Sequence, residues 1–262
     1  MELKGKLYGT TLEGGSCGDY GWCGTVFVLD PRERAEKVLL SFCTQHGCAD
    51  GAFPFAGLTT ANGTLFGTTV GSGLAACRYV SSGCGTVFSL DPDTEVETVL
   101  YAFCRVHHCA DGANPTDSVI SVLGALYATT YEGGDGDCTC GTIFSVNPDT
   151  HTETVVYAFC QKTDCADGAL PSANLIKDKG VLYGTTPFGG RTGCPQTGGC
   201  GTVFSLDPAT GAETVLYEFC SRKNCADGWG PQSGLVATKK YLYGTTLNGG
   251  AYGYGVVFAV RQ

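Results

Sequence analysis

The chain has 262 residues, among them 40 glycines, 16 cysteines and a single methionine, and its formal net charge is −9. That charge argues against a nucleic-acid or anionic-membrane partner, and no apolar run approaches the roughly 18–20 residues of a membrane-spanning helix. Short apolar runs between glycine clusters predict an all-β fold rich in turns.

The first predicted element is a short strand at Leu3, followed by Leu7-Tyr8-Gly9-Thr10-Thr11. This cassette returns as Leu65-Phe66-Gly67-Thr68-Thr69, Leu126-Tyr127-Ala128-Thr129-Thr130, Leu182-Tyr183-Gly184-Thr185-Thr186 and Leu242-Tyr243-Gly244-Thr245-Thr246, in steps of 58, 61, 56 and 60 residues. A period of this length means one supersecondary unit stacked on copies of itself. Within the repeat at 173–220, strand A is predicted over 174–177, a turn over 178–180 and strand B over 181–186. A glycine-rich loop leads to strand C over 201–206. Asp207-Pro208-Ala209-Thr210-Gly211 is a turn in which proline presets φ and glycine supplies a positive φ. Strand D follows over 213–219. Four antiparallel strands in meander order, repeated, predict a β-propeller with five four-stranded blades at about 1–43, 56–104, 117–160, 173–220 and 233–262. The last blade ends at strand C, 255–260, and lacks its outer strand. With strand A innermost, that strand C is an exposed apolar edge.

Four cysteines fall in each of the four complete repeats. Met1-Glu2-Leu3-Lys4-Gly5 runs straight into the first repeat with no leader, so the chain is either cytoplasmic or a mature form. The cysteines favour the second reading, because such even usage fits disulfides in an oxidising compartment. A structural zinc site with four thiolates is the alternative, although the usual close knuckles are missing. Cys23, Cys84, Cys140 and Cys200 precede strand C; Cys43, Cys104, Cys160 and Cys220 follow strand D, always 20 residues later. Those positions lie opposite in a tight hairpin. The others are Cys17, Cys77, Cys138 and Cys194 in the B–C loops and Cys48, Cys109, Cys165 and Cys225 in the D–A loops. Pairing within each loop would join Cys138 to Cys140 across one residue. The expected connectivity is therefore Cys23–Cys43 with Cys17–Cys48, and its equivalents. The meander places both long loops on one face, the first place to look for binding.

Cys-Ala-Asp-Gly recurs at 48–51, 109–112, 165–168 and 225–228. Asp50, Asp111, Asp167 and Asp227 read either as calcium ligands or as Asx-turn residues tying down their own loops. The second is favoured because no further carboxylates recur beside them. The paired threonines of strand B read as β-formers whose hydroxyls are satisfied locally. His46, His107, His108 and His151 form no repeated ligand pair. There is no Cys-x2-Cys-His, and neither a catalytic residue, a metal nor a cofactor is assigned. Glu13, Glu36, Glu97, Glu132, Glu153 and Glu213 occupy repeated or surface-strand positions. The unique residues are aromatic: Tyr20, Trp22, Tyr79, Phe188, Trp229, Tyr252 and Tyr254. Tyr20, Trp22, Trp229, Tyr252 and Tyr254 are the candidate binding residues, suited to sugar rings or a protein partner.

The order Leu-Tyr-Gly-Thr-Thr-x-x-Gly-Gly, Gly-Thr-Val-Phe-Ser-Leu-Asp-Pro, Glu-Thr-Val-Leu-Tyr-x-Phe and Ala-Asp-Gly-x-x-Pro, cleanest at 182–231, resembles the bacterial GloVer tandem repeat over essentially the whole chain. The resemblance implies a propeller-like fold and an exported or surface-anchored protein without an assigned activity. The chain departs from it in its four cysteines per repeat and in carrying no anchor segment. The expectation is a secreted or cell-surface, non-enzymatic protein of binding or assembly, self-associating through the edge strand at 255–260. A lectin-like propeller that binds glycans is the alternative, and a glycan-cleaving enzyme a third reading.

Overall fold

The computed structural model describes residues 1–16, 23–73, 83–134, 140–191 and 198–262. Short runs of β-branched and aromatic residues between glycine turns form twenty strands, and no α-helix occurs among the described residues. The first sheet holds β1 (Glu2–Leu3), β2 (Lys6–Thr11), β3 (Thr25–Asp30) and β4 (Ala35–Ser41); the second holds β5 (Thr59–Ala61), β6 (Thr64–Thr69), β7 (Thr86–Leu90) and β8 (Glu97–Ala102). The third is β9 (Ile120–Val122), β10 (Ala125–Thr130), β11 (Thr142–Asn147) and β12 (Thr152–Ala158), and the fourth β13 (Ile176–Asp178), β14 (Val181–Thr186), β15 (Thr202–Leu206) and β16 (Glu213–Glu218). Each is a four-stranded antiparallel meander in sequence order, as the repeat predicts.

The last sheet differs. β17 (Trp229–Pro231) and β18 (Val236–Ala237) both pair with one side of β19 (Tyr241–Asn248), and β20 (Val257–Arg261) pairs with the other. β17 lies within the D–A loop that the sequence predicts after Cys220, so this short strand is an addition to the expected meander. Among the described residues β20 pairs with β19 alone.

In the first four sheets the strands are tied together in the same way. The second cassette threonine bonds the threonine that opens strand C: Thr69 Oγ1 to Thr86 Oγ1 at 2.9 Å, and Thr186 Oγ1 to Thr202 Oγ1 at 2.9 Å. The cassette glycine faces an aromatic ring, and a Cβ on Gly184 would lie 2.5 Å from Phe204 Cζ. A β-bulge interrupts strand D, where Val203 pairs with Tyr217 but Phe204 pairs with Val215. The extra residue, Leu216, bends the strand and re-aims Tyr217. The same shift occurs between Val87 and Phe88, opposite Tyr101 and Val99. The C–D turns are Asx turns, with Asp30 Oδ1 accepting from the Arg32 and Glu33 amides.

The chain divides into two compact units, Met1–Ala128 with Ser145–Thr154, and Thr129–Phe144 with Val155–Gln262. In the first, Tyr8, Val26 and Phe42 of one sheet pack with Leu58, Leu65, Phe88 and Leu90 of the next. In the second, Val203 and Phe219 pack with Leu235, Leu242 and Val260. Aromatic rings meet edge-on at these contacts, Phe42 with Phe88 at 5.1 Å and Phe219 with Phe258 at 4.9 Å.

Candidate functional site

The loops after strand D carry the repeated chemistry. Each contains a short 3-10 turn: His46–Cys48, His107–Cys109, Thr163–Cys165 and Lys223–Cys225. Cys43 and Cys48 both have positive φ, 61° and 54°, and so do their counterparts. The two left-handed residues fold the chain back on itself, and the Cα atoms of each pair come to 4.0 Å. The bridges are therefore Cys43–Cys48, Cys104–Cys109, Cys160–Cys165 and Cys220–Cys225. This corrects the expected Cys23–Cys43 and Cys17–Cys48 connectivity. The hairpin register ends one residue earlier, at Phe42, whose amide bonds Gly24 O; the Cys43 amide turns away to Gly51 O at 3.1 Å. Cys43 thus belongs to its own loop.

Cys84, Cys140 and Cys200 are also disulfide-bonded. The sulfurs of Cys84, Cys104 and Cys109 lie within 4.8 Å of one another, as do those of Cys140, Cys160 and Cys165. Cys17, Cys77, Cys138 and Cys194 lie outside the described residues, as do Tyr20, Trp22 and Tyr79. Removing one five-residue link, by Cys104→Ser with Cys109→Ser, should lower stability by about 2 kcal/mol, the loop-entropy value for so short a ring. Urea unfolding of the oxidised double variant measures it.

The recurrent aspartate is the hub of each loop. Asp111 accepts from the Arg105 amide at 2.9 Å, the Val106 amide at 3.2 Å and the Tyr101 hydroxyl at 2.8 Å. Asp167 accepts from Gln161 N, Lys162 N and Tyr157 Oη, and Asp227 from Ser221 N, Arg222 N and Tyr217 Oη. In the first loop Leu40 stands where the tyrosine would be, and the Thr44 hydroxyl bonds Asp50 at 2.9 Å. These carboxylates reach back five and six residues, rather than forward as an Asx turn does. Their buried oxygens are engaged by the loop, which supports the structural reading over the calcium reading.

A second carboxylate does stand beside three of the four hubs, and it comes from the next repeat. Glu97 is placed against Asp50, Glu153 against Asp111 and Glu213 against Asp167. These glutamates share one repeated strand position, as expected, but they do not lie on the surface: the Glu213 side chain is 1% exposed, and Oε1 of all three is buried with no hydrogen-bond partner. Burial, reinforced by the adjacent aspartate, pushes Glu97 and Glu153 up to about 7. Glu213 is raised by burial too, but Lys162 Nζ bonds its Oε2 at 2.9 Å and Tyr157 Oη lies at 3.4 Å, both opposing the shift. The residue at the lysine's position is Gln45 in the first loop and Val106 in the second. These pairs were invisible in sequence because each joins residues more than 40 positions apart. Glu36, at the same place in the first sheet, is exposed.

A carboxyl with a pKa near 7 has the protonation behaviour of a general acid. The free oxygens of Glu97 and Glu153 are nevertheless sealed from solvent, and the same arrangement recurs between repeats. The geometry is that of an inter-repeat joint.

The sequence model of the Gloeobacter/Verrucomicrobia repeat matches residues 1–258. The chain belongs to this repeat family. No curated protein matches this Gloeobacter/Verrucomicrobia repeat chain. Among solved structures it is similar to the extracellular domain described as that of a one-component system from B. thetaiotaomicron, at 13% identity and TM-score 0.53, over 100% of this chain and 26% of that one. It is also similar to an oligogalacturonate lyase solved with manganese, at 12% identity and TM-score 0.50, over 98% of this chain and 62% of that one. TolB from Acinetobacter baumannii aligns at TM-score 0.48 with 12% identity, over 92% and 49% of the two chains. The repeat chain thus spans less than two thirds of each neighbour. At these identities the likeness concerns the fold, which is propeller-like.

The remaining candidates are scattered. Trp229 lies in β17 and is half-buried; Tyr252 and Tyr254 are 88% and 92% exposed ahead of β20. His107 and His108 stack on each other at 3.8 Å. No helix among the described residues is long and apolar enough to cross a membrane.

Proposed function

We propose that this chain is a non-enzymatic repeat protein acting outside the cytoplasm in binding or assembly, its sheets serving as five propeller blades of which the last lacks the outer strand. One observation carries the reading. The aspartates and threonines that recur with the repeat are engaged in holding loops and strands together, whereas large exposed apolar side chains stand on the last sheet at Leu247 and Val257 and in the loop between its last two strands at Tyr252 and Tyr254. A soluble surface of this kind marks an interaction site. The loop disulfides support an oxidising compartment, and β20 offers an open edge.

The test has two arms. Sedimentation of the oxidised chain across a concentration series should show species heavier than the monomer, and incubation with polysaccharides should show no cleavage. Glycan turnover that disappears in Glu132→Gln, a partly buried carboxyl raised above its ordinary value by burial, would overturn the non-enzymatic reading. The two exposed tyrosines favour glycan contact as a second reading. Retention on a glycan array, lost in a Tyr252→Ala, Tyr254→Ala double variant, would select it.

A further inference from the structure

Two repeats each bring three sulfurs to one point, and the five-residue bridge joins only two of the three. Cys84 stands ahead of β7, and Cys104 and Cys109 follow β8; their sulfurs all lie within 4.8 Å of one another. Cys140, ahead of β11, converges in the same way on Cys160 and Cys165 beyond β12. Thiolates at about 2.3 Å around a tetrahedral zinc ion sit about 3.8 Å apart, so shifts of about an ångström would let either trio hold one.

The trios do not depend on their bridges for position. The Cys84 amide donates to Ser72 O at 3.1 Å, and the Cys84 carbonyl accepts from Asn114 N at 2.8 Å. The Phe103 amide donates to Gly85 O at 3.0 Å, which sets the residue before Cys104 beside the residue after Cys84. Cys109 N donates to Val106 O at 2.9 Å, and Cys109 O accepts from Gly112 N at 2.8 Å. Between the two loop cysteines, Asp111 anchors the Arg105 and Val106 amides. In the second trio Cys140 O accepts from Leu170 N at 2.7 Å and Cys165 O from Gly168 N and Gly190 N at 2.8 Å, while Asp167 takes the Gln161 and Lys162 amides. None of these bonds involves sulfur, so opening the bridges leaves the thiols facing one another.

We propose that Cys84, Cys104 and Cys109, and likewise Cys140, Cys160 and Cys165, form a trithiolate site for one zinc ion when their bridges are reduced. Soft thiolates select zinc over calcium or magnesium, and three sulfurs leave the fourth tetrahedral position open to water. A small dithiol gives two electrons and two protons to the Cys104–Cys109 bond, does the same for the bridge that holds Cys84, and is left as its own disulfide. Zinc then displaces the three thiol protons into the buffer. Bridges and metal compete for the same sulfurs, so the oxidised chain excludes the ion. This property is independent of the binding-or-assembly reading.

The test uses the full chain, reduced with dithiothreitol, freed of reductant and kept without oxygen, with cadmium as the spectroscopic probe. Titration should raise thiolate-to-cadmium charge-transfer absorption in the reduced chain and not in the oxidised chain, and added zinc should remove it. Cys84→Ser and Cys140→Ser should each lower the cadmium taken up by about one equivalent, since two sulfurs fall short of the three or four protein ligands such an ion takes. Cys109→Ser and Cys165→Ser read the same two sites where a first variant does not fold. Near-ultraviolet circular dichroism follows the packing of the reduced chain; where packing is lost, zinc should restore the native spectrum, because metal binding is then coupled to folding. A reduced chain without the charge-transfer band overturns the inference. So does uptake unchanged in all four variants, uptake as tight in urea as in buffer, or an unfolded reduced chain that zinc does not refold.

Discussion

Asp167→Ala should destabilise the oxidised chain by about 3–5 kcal/mol, the range for deleting one member of a buried charged network. Its carboxylate accepts from two backbone amides and the Tyr157 hydroxyl, all within 3.2 Å. Truncation leaves Tyr157 Oη with only a long contact to Glu213, and leaves Gln161 N and Lys162 N without their acceptor. Asp167→Asn should recover part of the loss, because its carbonyl oxygen can still accept one or two of these bonds. The control is Asp30→Ala. Asp30 also accepts two amides, but it lies in an exposed turn where water replaces them, and its loss should leave the midpoint almost unmoved. Guanidinium unfolding at neutral pH separates the two. Equal effects at Asp167 and Asp30 would show that the buried hub does not hold the loop.

Raising the pH from about 5 to about 8 should weaken the fold, and Glu97 and Glu153 should account for most of the change. Their folded-state pKa values of about 7 lie above the ordinary value of 4.5. Between those values the folded chain binds more protons than the unfolded chain, so stability falls as pH rises and the loss is complete above about 7. The full shift would correspond to about 3 kcal/mol per residue. Both side chains are partly exposed, and solvent screening reduces this to about 1–2 kcal/mol each. The Glu97→Gln, Glu153→Gln variant should therefore gain about 2–4 kcal/mol near pH 8 and lose most of the slope. Asp227, held low by its hydroxyl and amide donors against the raising effect of burial, acts at the acid end, where stability is lost as pH falls through its pKa. The third joint supplies an internal comparison. Lys162 already neutralises Glu213, and Val106→Lys should carry the same remedy to Glu153. A pH profile unchanged by both the Gln and the Lys variants would refute the protonation account.

Much of the fold is legible in the sequence because the meander is local. The cassette, the Asp-Pro turns and the Gly-Thr-Val-Phe motif each act within a few residues, and β14, β15 and β16 lie within one or two residues of the expected strands. The aspartate hubs are equally local, and the chemistry of Cys-Ala-Asp-Gly pointed to a loop-holding role. One reading failed. The disulfide connectivity assumed that the hairpin continued through Cys43, whereas left-handed backbone at Cys43 and Cys48 closes the loop on itself. Left-handed conformation at cysteine carries no sequence signal comparable to glycine. The repeated strand position of Glu97, Glu153 and Glu213 is legible in the sequence, but their burial is not. Alternation names two faces but does not say that a neighbouring repeat covers the outer one.

The sequence by itself determined the repeat, its strands and the residues available to close each loop, because hydrogen-bonded hairpins and turns depend on near neighbours. Only the tertiary structure decided which carboxyls share a joint between neighbouring repeats. That property arises where one repeat meets the next, because the burial that shifts Glu153 depends on what packs against it.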